Sequence, residues 1–133
     1  MTTERLTAGR KAVNDALRVL NVQKNKDALK MRGIDLKDQN YYLAIAIKES
    51  SLKSELVSGS NAKGLFQMKT GPGQALADVN KHYGMSFKDQ DVFYNGPDKN
   101  KKESAAKNNS MVGILNLHLC RDIYRESFNL KIP

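Results

Sequence analysis

An uncharged run at residues 42–47, ended abruptly by polar residues, is the feature that most constrains the fold of this chain. Four apolar residues of the run can line a helix buried on most of its circumference: Leu43, Ala44, Ala46 and Ile47. Glu49 follows directly. A carboxyl group at the mouth of a buried helix is partly desolvated, which favours the protonated form that a general acid needs. The run therefore predicts a central helix and makes Glu49 the first catalytic candidate. The alternative is that Glu49 is simply a solvated residue in the last turn of this helix.

A tight reversal of the chain is predicted after this helix. Gly59, Asn61 and Gly64 supply the residue types that turns require. The next segment, LFQM at residues 65–68, places one amide side chain among three large apolar ones. We expect at most a short irregular hairpin at residues 59–68.

Together, these two segments resemble the signature of the soluble lytic transglycosylase family within the lysozyme-like superfamily. The match is Glu49-Ser50 followed by the GLFQ turn at residues 64–67. The resemblance implies that Glu49 is the sole catalytic acid and base, and that Ser50 helps to hold it and the substrate. It also implies that the turn lines the cleft, with these residues binding substrate: Gly64, Leu65, Phe66 and Gln67. The family usually has Met where this chain has Phe66.

The resemblance extends to both sides and covers about residues 25–124. Residues 33–35 are similar to the family's lead-in, and residues 109–117 are similar to its N-x-x-x-G-x-x-x-L helix, which packs behind the cleft. The family's Tyr-Asn-x-Gly motif after that helix is missing. Tyr94-Asn95-Gly96 precedes the helix, and Tyr94 is the candidate that would take over the contact with substrate.

The order of elements predicts a mainly α protein, a single lysozyme-like helical domain over residues 1–133. Residues 1–24 form an amphipathic helix outside the resemblance, capped by Thr2 or Thr3. A short helix at residues 26–32 and the central helix, capped by Asp35 or Asp38, come next. Helices are then expected at residues 74–82, ended by Gly84, and at residues 104–128, separated by a polar, lysine-rich connection.

Charge and composition restrict the partners. The net charge of +8 favours anionic partners, among which peptidoglycan and nucleic acid both qualify. No compact nucleic-acid motif is visible, and we expect no nucleic-acid partner. Cys120 is the only cysteine, so no intramolecular disulfide can form.

Membrane-spanning runs and a secretory signal bear on where a protein acts. No run approaches the ~20 apolar residues of a membrane span. The first residues lack the apolar core of a secretory signal, so we expect a chain that is either cytoplasmic when made or a mature form. Peptidoglycan, however, lies outside the membrane. A phage-encoded enzyme, made in the host cytoplasm and acting on the cell wall, best explains this combination, with other virion proteins as candidate partners.

Metal and cofactor sites are not indicated. The two glycines at residues 59–64 lack the Lys-Ser/Thr that completes a phosphate loop. The acidic residues near Asp89 have no Glu at the twelfth position of a calcium loop. No metal and no cofactor is therefore expected.

The sequence thus predicts a peptidoglycan lytic transglycosylase that cleaves the bond between N-acetylmuramic acid and N-acetylglucosamine and leaves anhydro-muramic ends. One alternative is a lysozyme-type hydrolase, which needs a second carboxylate. The only acid between Glu49 and Asp78 is Glu55, which would point away from Glu49 on a continuing helix. The other alternative is a non-catalytic virion or adaptor protein on the same scaffold.

Overall fold

The computed structural model describes residues 1–26, 31 and 34–131, with side chains as far as Cys120. Five helices lie in this part of the chain: α1 (Thr3–Lys26), α2 (Gln39–Ser50), α3 (Ala75–Tyr83), α4 (Asp89–Val92) and α5 (Lys99–Lys131). Within the same residues, β pairing is limited to isolated bridges from Lys63 to Val57 and to Met68. The predicted mainly α fold with a short irregular hairpin is confirmed.

Helix α5 is the central element, because α1, α3 and α4 all pack against it. Its buried stripe repeats every three to four residues, as an amphipathic helix requires: Met111, Ile114, Leu115 and Leu119. The inward face of α1 supplies Val13, Ala16 and Leu20, all fully buried. Ile123, predicted to continue the α5 stripe, lies outside the described side chains.

Local capping fixes where the helices begin and end. Thr2 Oγ1 accepts a hydrogen bond from Arg5 N at 3.1 Å at the start of α1. Asp38 Oδ1 accepts from Asn40 N at 2.9 Å and from Tyr41 N at 3.1 Å, which satisfies two free N–H groups of α2. Gly84, in the left-handed conformation at φ 66°, ends α3. The predicted caps of these three helices are confirmed.

The predicted start of the last helix was wrong by five residues. Helix α5 begins at Lys99 because Asp98 Oδ1 accepts from Asn100 N at 3.0 Å and from Lys101 N at 3.2 Å. The first turn of α5 has no acidic residue, so its lysines gave the stretch the composition of a loop. Helix α4, within the predicted connection, was missed. Most of the short helix predicted at residues 26–32 lies outside the described residues, and Lys26 belongs to α1.

Helix α2 is buried on one side only. Tyr42, Leu43 and Ala46 are buried, but Ala44 and Ile47 are exposed, so the predicted burial of most of its circumference is wrong. The buried side is tied to α5 by Tyr42, whose hydroxyl oxygen lies 2.7 Å from Nε2 of His118. This contact fixes the rotation of α2 about its axis and so determines where its last turn points.

Among the described helices, none has the length and apolar character needed to cross a membrane.

Candidate active site

Glu49 lies in the last turn of α2, directly before a sharp reversal of the chain. Ser51 ends the helix at φ 53° by donating its N–H to Ile47 O at 2.8 Å, and Leu52 follows at φ 60°. Two consecutive non-glycine residues in the left-handed region are costly and persist only where packing holds them. Leu52 is held because its buried side chain lies against Gly9 of α1, where a Cβ would approach Leu52 Cδ1 to 2.9 Å.

The Glu49 side chain is exposed, and nothing in the described part of the chain forms a hydrogen bond or ion pair with its carboxylate. The expectation that the Glu49 carboxyl group is partly desolvated at the end of its helix is therefore wrong. The cause is the one-sided burial of α2, which leaves its end open to solvent. An exposed carboxylate at a helix end is accessible to a ligand.

Ser50 connects the helix to the glycine-rich turn. It is 3% exposed, and its Oγ lies 2.8 Å from Leu65 O and 3.0 Å from Ala46 O. Because the hydroxyl donates to the carbonyl of Leu65, the residue after Glu49 is attached to the middle of the turn. The two predicted motifs are thereby adjacent in space, and the role predicted for Ser50, to hold Glu49 and the substrate, stays a prediction.

The turn at residues 64–67 is shaped by two residues with positive φ. Gly64 has φ 80° and Gln67 has φ 53°. The Gln67 side chain stabilises the turn by donating from Nε2 to Gly64 O at 2.9 Å and to Leu56 O at 3.1 Å. In the described structure no donor reaches Gln67 Oε1, which leaves this oxygen available to a ligand.

Helix α5 supports the turn from behind. Asn109, which is 1% exposed, accepts from Phe66 N at 2.9 Å through Oδ1. Its Nδ2 donates to Lys63 O at 2.9 Å and to Val92 O at 3.0 Å. One turn further along α5, a Cβ at Gly113 would overlap the Phe66 side chain, with Phe66 Cδ2 at 2.7 Å. Sequence reasoning placed this helix behind the cleft but missed these contacts, for which the Asn and Gly of the motif were the only signal.

Leu65 and Phe66 are both buried. Leu65 is 1% and Phe66 3% exposed, so their side chains anchor the turn. The predicted contact of these side chains with substrate remains a prediction.

Tyr94 is held by its own turn. Its hydroxyl accepts from Asp98 N at 3.2 Å, its ring covers Gly96, and Lys101 Nζ lies 5.8 Å from the ring centroid. The turn that follows Tyr94 therefore fixes this side chain. Its contact with substrate also remains a prediction.

A cavity elsewhere in the structure does not coincide with the site. A cavity of about 210 Å³ lies between α1, the start of α5 and residues 52–54, but Leu65 is the only predicted site residue in its lining. Across the described residues, no group of three or more His, Cys, Asp or Glu side chains could hold a metal ion.

Comparison with known families gives a match over more than half of the chain. Residues 25–100 match the family described as the transglycosylase SLT domain. This stretch is more than half of the chain and contains Glu49, Ser50 and the 64–67 turn. The chain belongs to this family. Searches of curated proteins and of solved structures found no match.

In this SLT domain, residues outside the matched stretch support both the 64–67 turn and the reversal at Leu52. Asn109 and Gly113 of α5 contact the turn from behind, and Gly9 of α1 contacts Leu52. The matched residues therefore supply Glu49 and the turn, while the two long helices supply much of the scaffold that fixes them.

Proposed function

We propose that this SLT domain is a peptidoglycan lytic transglycosylase that cleaves the bond between N-acetylmuramic acid and N-acetylglucosamine, with Glu49 as its single acid and base. The observation that supports the proposal most is the hydrogen bond from Ser50 Oγ to Leu65 O at 2.8 Å. It joins the exposed Glu49 to the turn within the residues that match the family. A carboxyl group and a ligand-binding turn side by side are the parts that glycan cleavage requires.

In the first step, Glu49 acts as a general acid. A bound glycan strand covers the end of α2 and removes water from the carboxyl group, which favours its neutral, proton-donating form. Glu49 transfers its proton to the glycosidic oxygen as the bond to the anomeric carbon breaks. The substrate's own N-acetyl carbonyl stabilises the positive charge that develops on the sugar.

In the second step, the same side chain acts as a base. The Glu49 carboxylate accepts the proton of the muramic acid primary hydroxyl while that oxygen bonds to the anomeric carbon. Because the hydroxyl belongs to the same sugar, it attacks with the large effective concentration of an intramolecular nucleophile. No water is consumed, and the released strand carries an anhydro-muramic end.

The turn binds the acetamido sugar in this proposal. Gln67 Oε1 is available to accept a hydrogen bond from the acetamido N–H, and its orientation is set by the two bonds that Nε2 makes to the turn. The backbone around Gly64 would bind the same sugar. Tyr94 and the apolar residues Leu65 and Phe66 would complete the wall. The net charge of +8 attracts the strand through its peptide carboxylates.

The products of digestion test this proposal. Purified peptidoglycan is incubated with the protein, and the released muropeptides are analysed by mass spectrometry before and after borohydride treatment. We expect ends that are lighter by one water and resistant to reduction. Reducible ends would instead identify a hydrolase, and the absence of any release would identify a non-catalytic scaffold protein.

Two matched variants assign the acid. Glu49→Gln removes the transferable proton and should lower the rate by roughly 10²–10⁴-fold. Glu55→Gln removes another exposed carboxylate from the loop after α2 and should leave the rate unchanged. Because α2 ends at Ser50, helical geometry does not separate Glu55 from Glu49, so this control is informative. A strong loss in Glu55→Gln together with reducible ends would establish the two-carboxylate mechanism.

The setting of this activity is part of the same proposal. A phage-encoded enzyme that is made in the host cytoplasm and acts on the cell wall, alone or with other virion proteins, accounts for the function and the basic charge together.

A further inference from the structure

The Asn109 side chain forms hydrogen bonds to three backbone groups outside its own helix. A buried amide is costly unless its polar atoms are bonded. Asn109 bonds only to backbone groups of other segments, namely Phe66 N and Lys63 O of the turn and Val92 O at the end of α4. Its neighbour Ser110, equally buried, bonds to Ala106 O one turn back in α5. Ser110 thus satisfies itself locally, whereas Asn109 joins α5 to two segments that are distant in sequence.

The turn rests directly on this amide. A Cβ at position 64 would come within 2.8 Å of Asn109 Cγ, so Gly64 leaves only enough space for the amide itself. The position of the Gly64 backbone is therefore set by Asn109 on one side. Ser50, through Leu65 O, sets it on the side of Glu49.

The same amide also fixes α4 relative to the turn. Val92 O receives one of its two N–H bonds, and the neighbouring Asn108 donates to Asp91 O at 3.0 Å. From the other side, Lys63 Nζ lies 3.4 Å from Asp89 and 5.8 Å from the centre of the Phe93 ring. The segment that leads to Tyr94 is therefore aligned with the turn by Asn109, together with Asn108 and Lys63.

We propose that Asn109 is a positioning residue for the glycan-cleavage reaction, whose amide holds the sugar-binding turn and the α4 segment in a fixed register with Glu49. The inference rests on the proposed function. It adds to that function a residue which does not touch the substrate. Such a residue controls the rate because displacement of a reacting group by ~1 Å can cost about 10²-fold.

The first test compares Asn109→Ala with Ser110→Ala. Both remove a buried polar group from adjacent positions of α5, but only the first releases the turn. At a temperature where circular dichroism shows both variants folded, we expect roughly a 10–100-fold loss of turnover in Asn109→Ala and little change in Ser110→Ala. Equal turnover in the two folded variants would overturn the proposal.

A second measurement does not depend on activity. The Phe66 amide donates to Asn109 Oδ1, so its hydrogen exchange should become at least ~10-fold faster in Asn109→Ala and stay unchanged in Ser110→Ala. Unchanged exchange of the Phe66 amide in Asn109→Ala would also overturn the proposal. If the unaltered protein releases no glycan, the proposed function fails, whereas faster exchange would still show that Asn109 holds the turn.

Asn109→Asp keeps the proposal testable if Asn109→Ala does not fold. The introduced carboxyl matches the shape of the amide, and in its protonated form it can both accept from Phe66 N and donate to a carbonyl. We expect the ratio of the variant's turnover to that of the unaltered protein to be higher at acidic than at neutral pH. At acidic pH, the Phe66 amide should exchange as slowly as it does in the unaltered protein. A ratio that does not change with pH while the variant stays folded would contradict the positioning role.

Discussion

Gly113→Ala is expected to destabilise the protein, although alanine is the better helix former. In an exposed helix the exchange gains ~1 kcal/mol of helix propensity. Here the added Cβ would overlap the Cβ and ring of Phe66, which cannot move away by a simple change of rotamer because its Cβ is fixed to the turn backbone. Either α5 or the turn must shift.

The magnitude follows from the contacts that this shift disturbs. Overpacking a buried site costs ~1–3 kcal/mol. Weakening the bond from Phe66 N to Asn109, a pair of buried groups, costs a further ~1–3 kcal/mol. After the gain in helix propensity, we expect the free energy of unfolding to fall by ~3 kcal/mol, with a melting temperature about 10 °C lower.

Two other glycines serve as matched controls. A Cβ at Gly59 would meet nothing within 4 Å, so Gly59→Ala should change the free energy of unfolding by less than ~0.5 kcal/mol. A Cβ at Gly73 also meets nothing, but its φ of 71° makes alanine cost ~1 kcal/mol. Urea unfolding followed by circular dichroism measures all three variants. If Gly113→Ala is as stable as Gly59→Ala, the close packing of Phe66 on α5 is wrong.

Three more expectations follow from the contacts and the charge. Ser50→Ala leaves the buried carbonyl of Leu65 without its donor, so urea unfolding should show a free energy of unfolding that is lower by ~1–3 kcal/mol. An unchanged urea midpoint would mean that the hydrogen bond between helix and turn does not stabilise the protein. Asp38→Ala removes the cap of α2 and should lower the free energy of unfolding by ~1 kcal/mol, whereas replacing its exposed neighbour, Gln39→Ala, should change it little. Equal effects of the two changes on the melting temperature would refute the capping role. Salt near 0.1 M screens charges beyond ~10 Å, so sedimentation of the protein with purified cell walls should weaken as salt rises, and binding indifferent to salt would refute charge-driven association.

The sequence predicted the parts of the structure that depend on neighbouring residues. The helix from residue 39 to 50 was predicted because an apolar run is preceded by Asp38, and the end of α3 was predicted because Gly84 accepts a left-handed conformation. The start of α5 was missed because lysines surround a cap, Asp98, whose two hydrogen bonds only the folded chain reveals. Short-range rules therefore worked where the capping residue stood beside a clear apolar pattern, and they failed where lysines surrounded it.

The candidate site divides in the same way. The motif residues Glu49, Ser50 and Gln67 were visible in the sequence, and their matched stretch carries the family signature. The sequence left a solvent-exposed Glu49 as the alternative and could not decide the question, because the exposure depends on which side of α2 is covered by other helices. A run of apolar residues indicates that a helix can be buried, but it does not say on how many sides.

The sequence by itself determined four of the five described helices, the caps of α1, α2 and α3, and the residues from which a glycan-cleaving site could be built, because these depend on backbone preferences and on residues a few positions apart. Only the tertiary structure decided that Asn109 bonds to the backbone of the turn and of α4, that Gly113 makes room for Phe66, and that Ser50 joins Glu49 to Leu65. These contacts link residues that are 15 positions apart, for Ser50 and Leu65, to 47 positions apart, for Phe66 and Gly113. A hydrogen bond or a packing contact at such separation depends on how whole helices are placed, and no local pattern of residues contains that information.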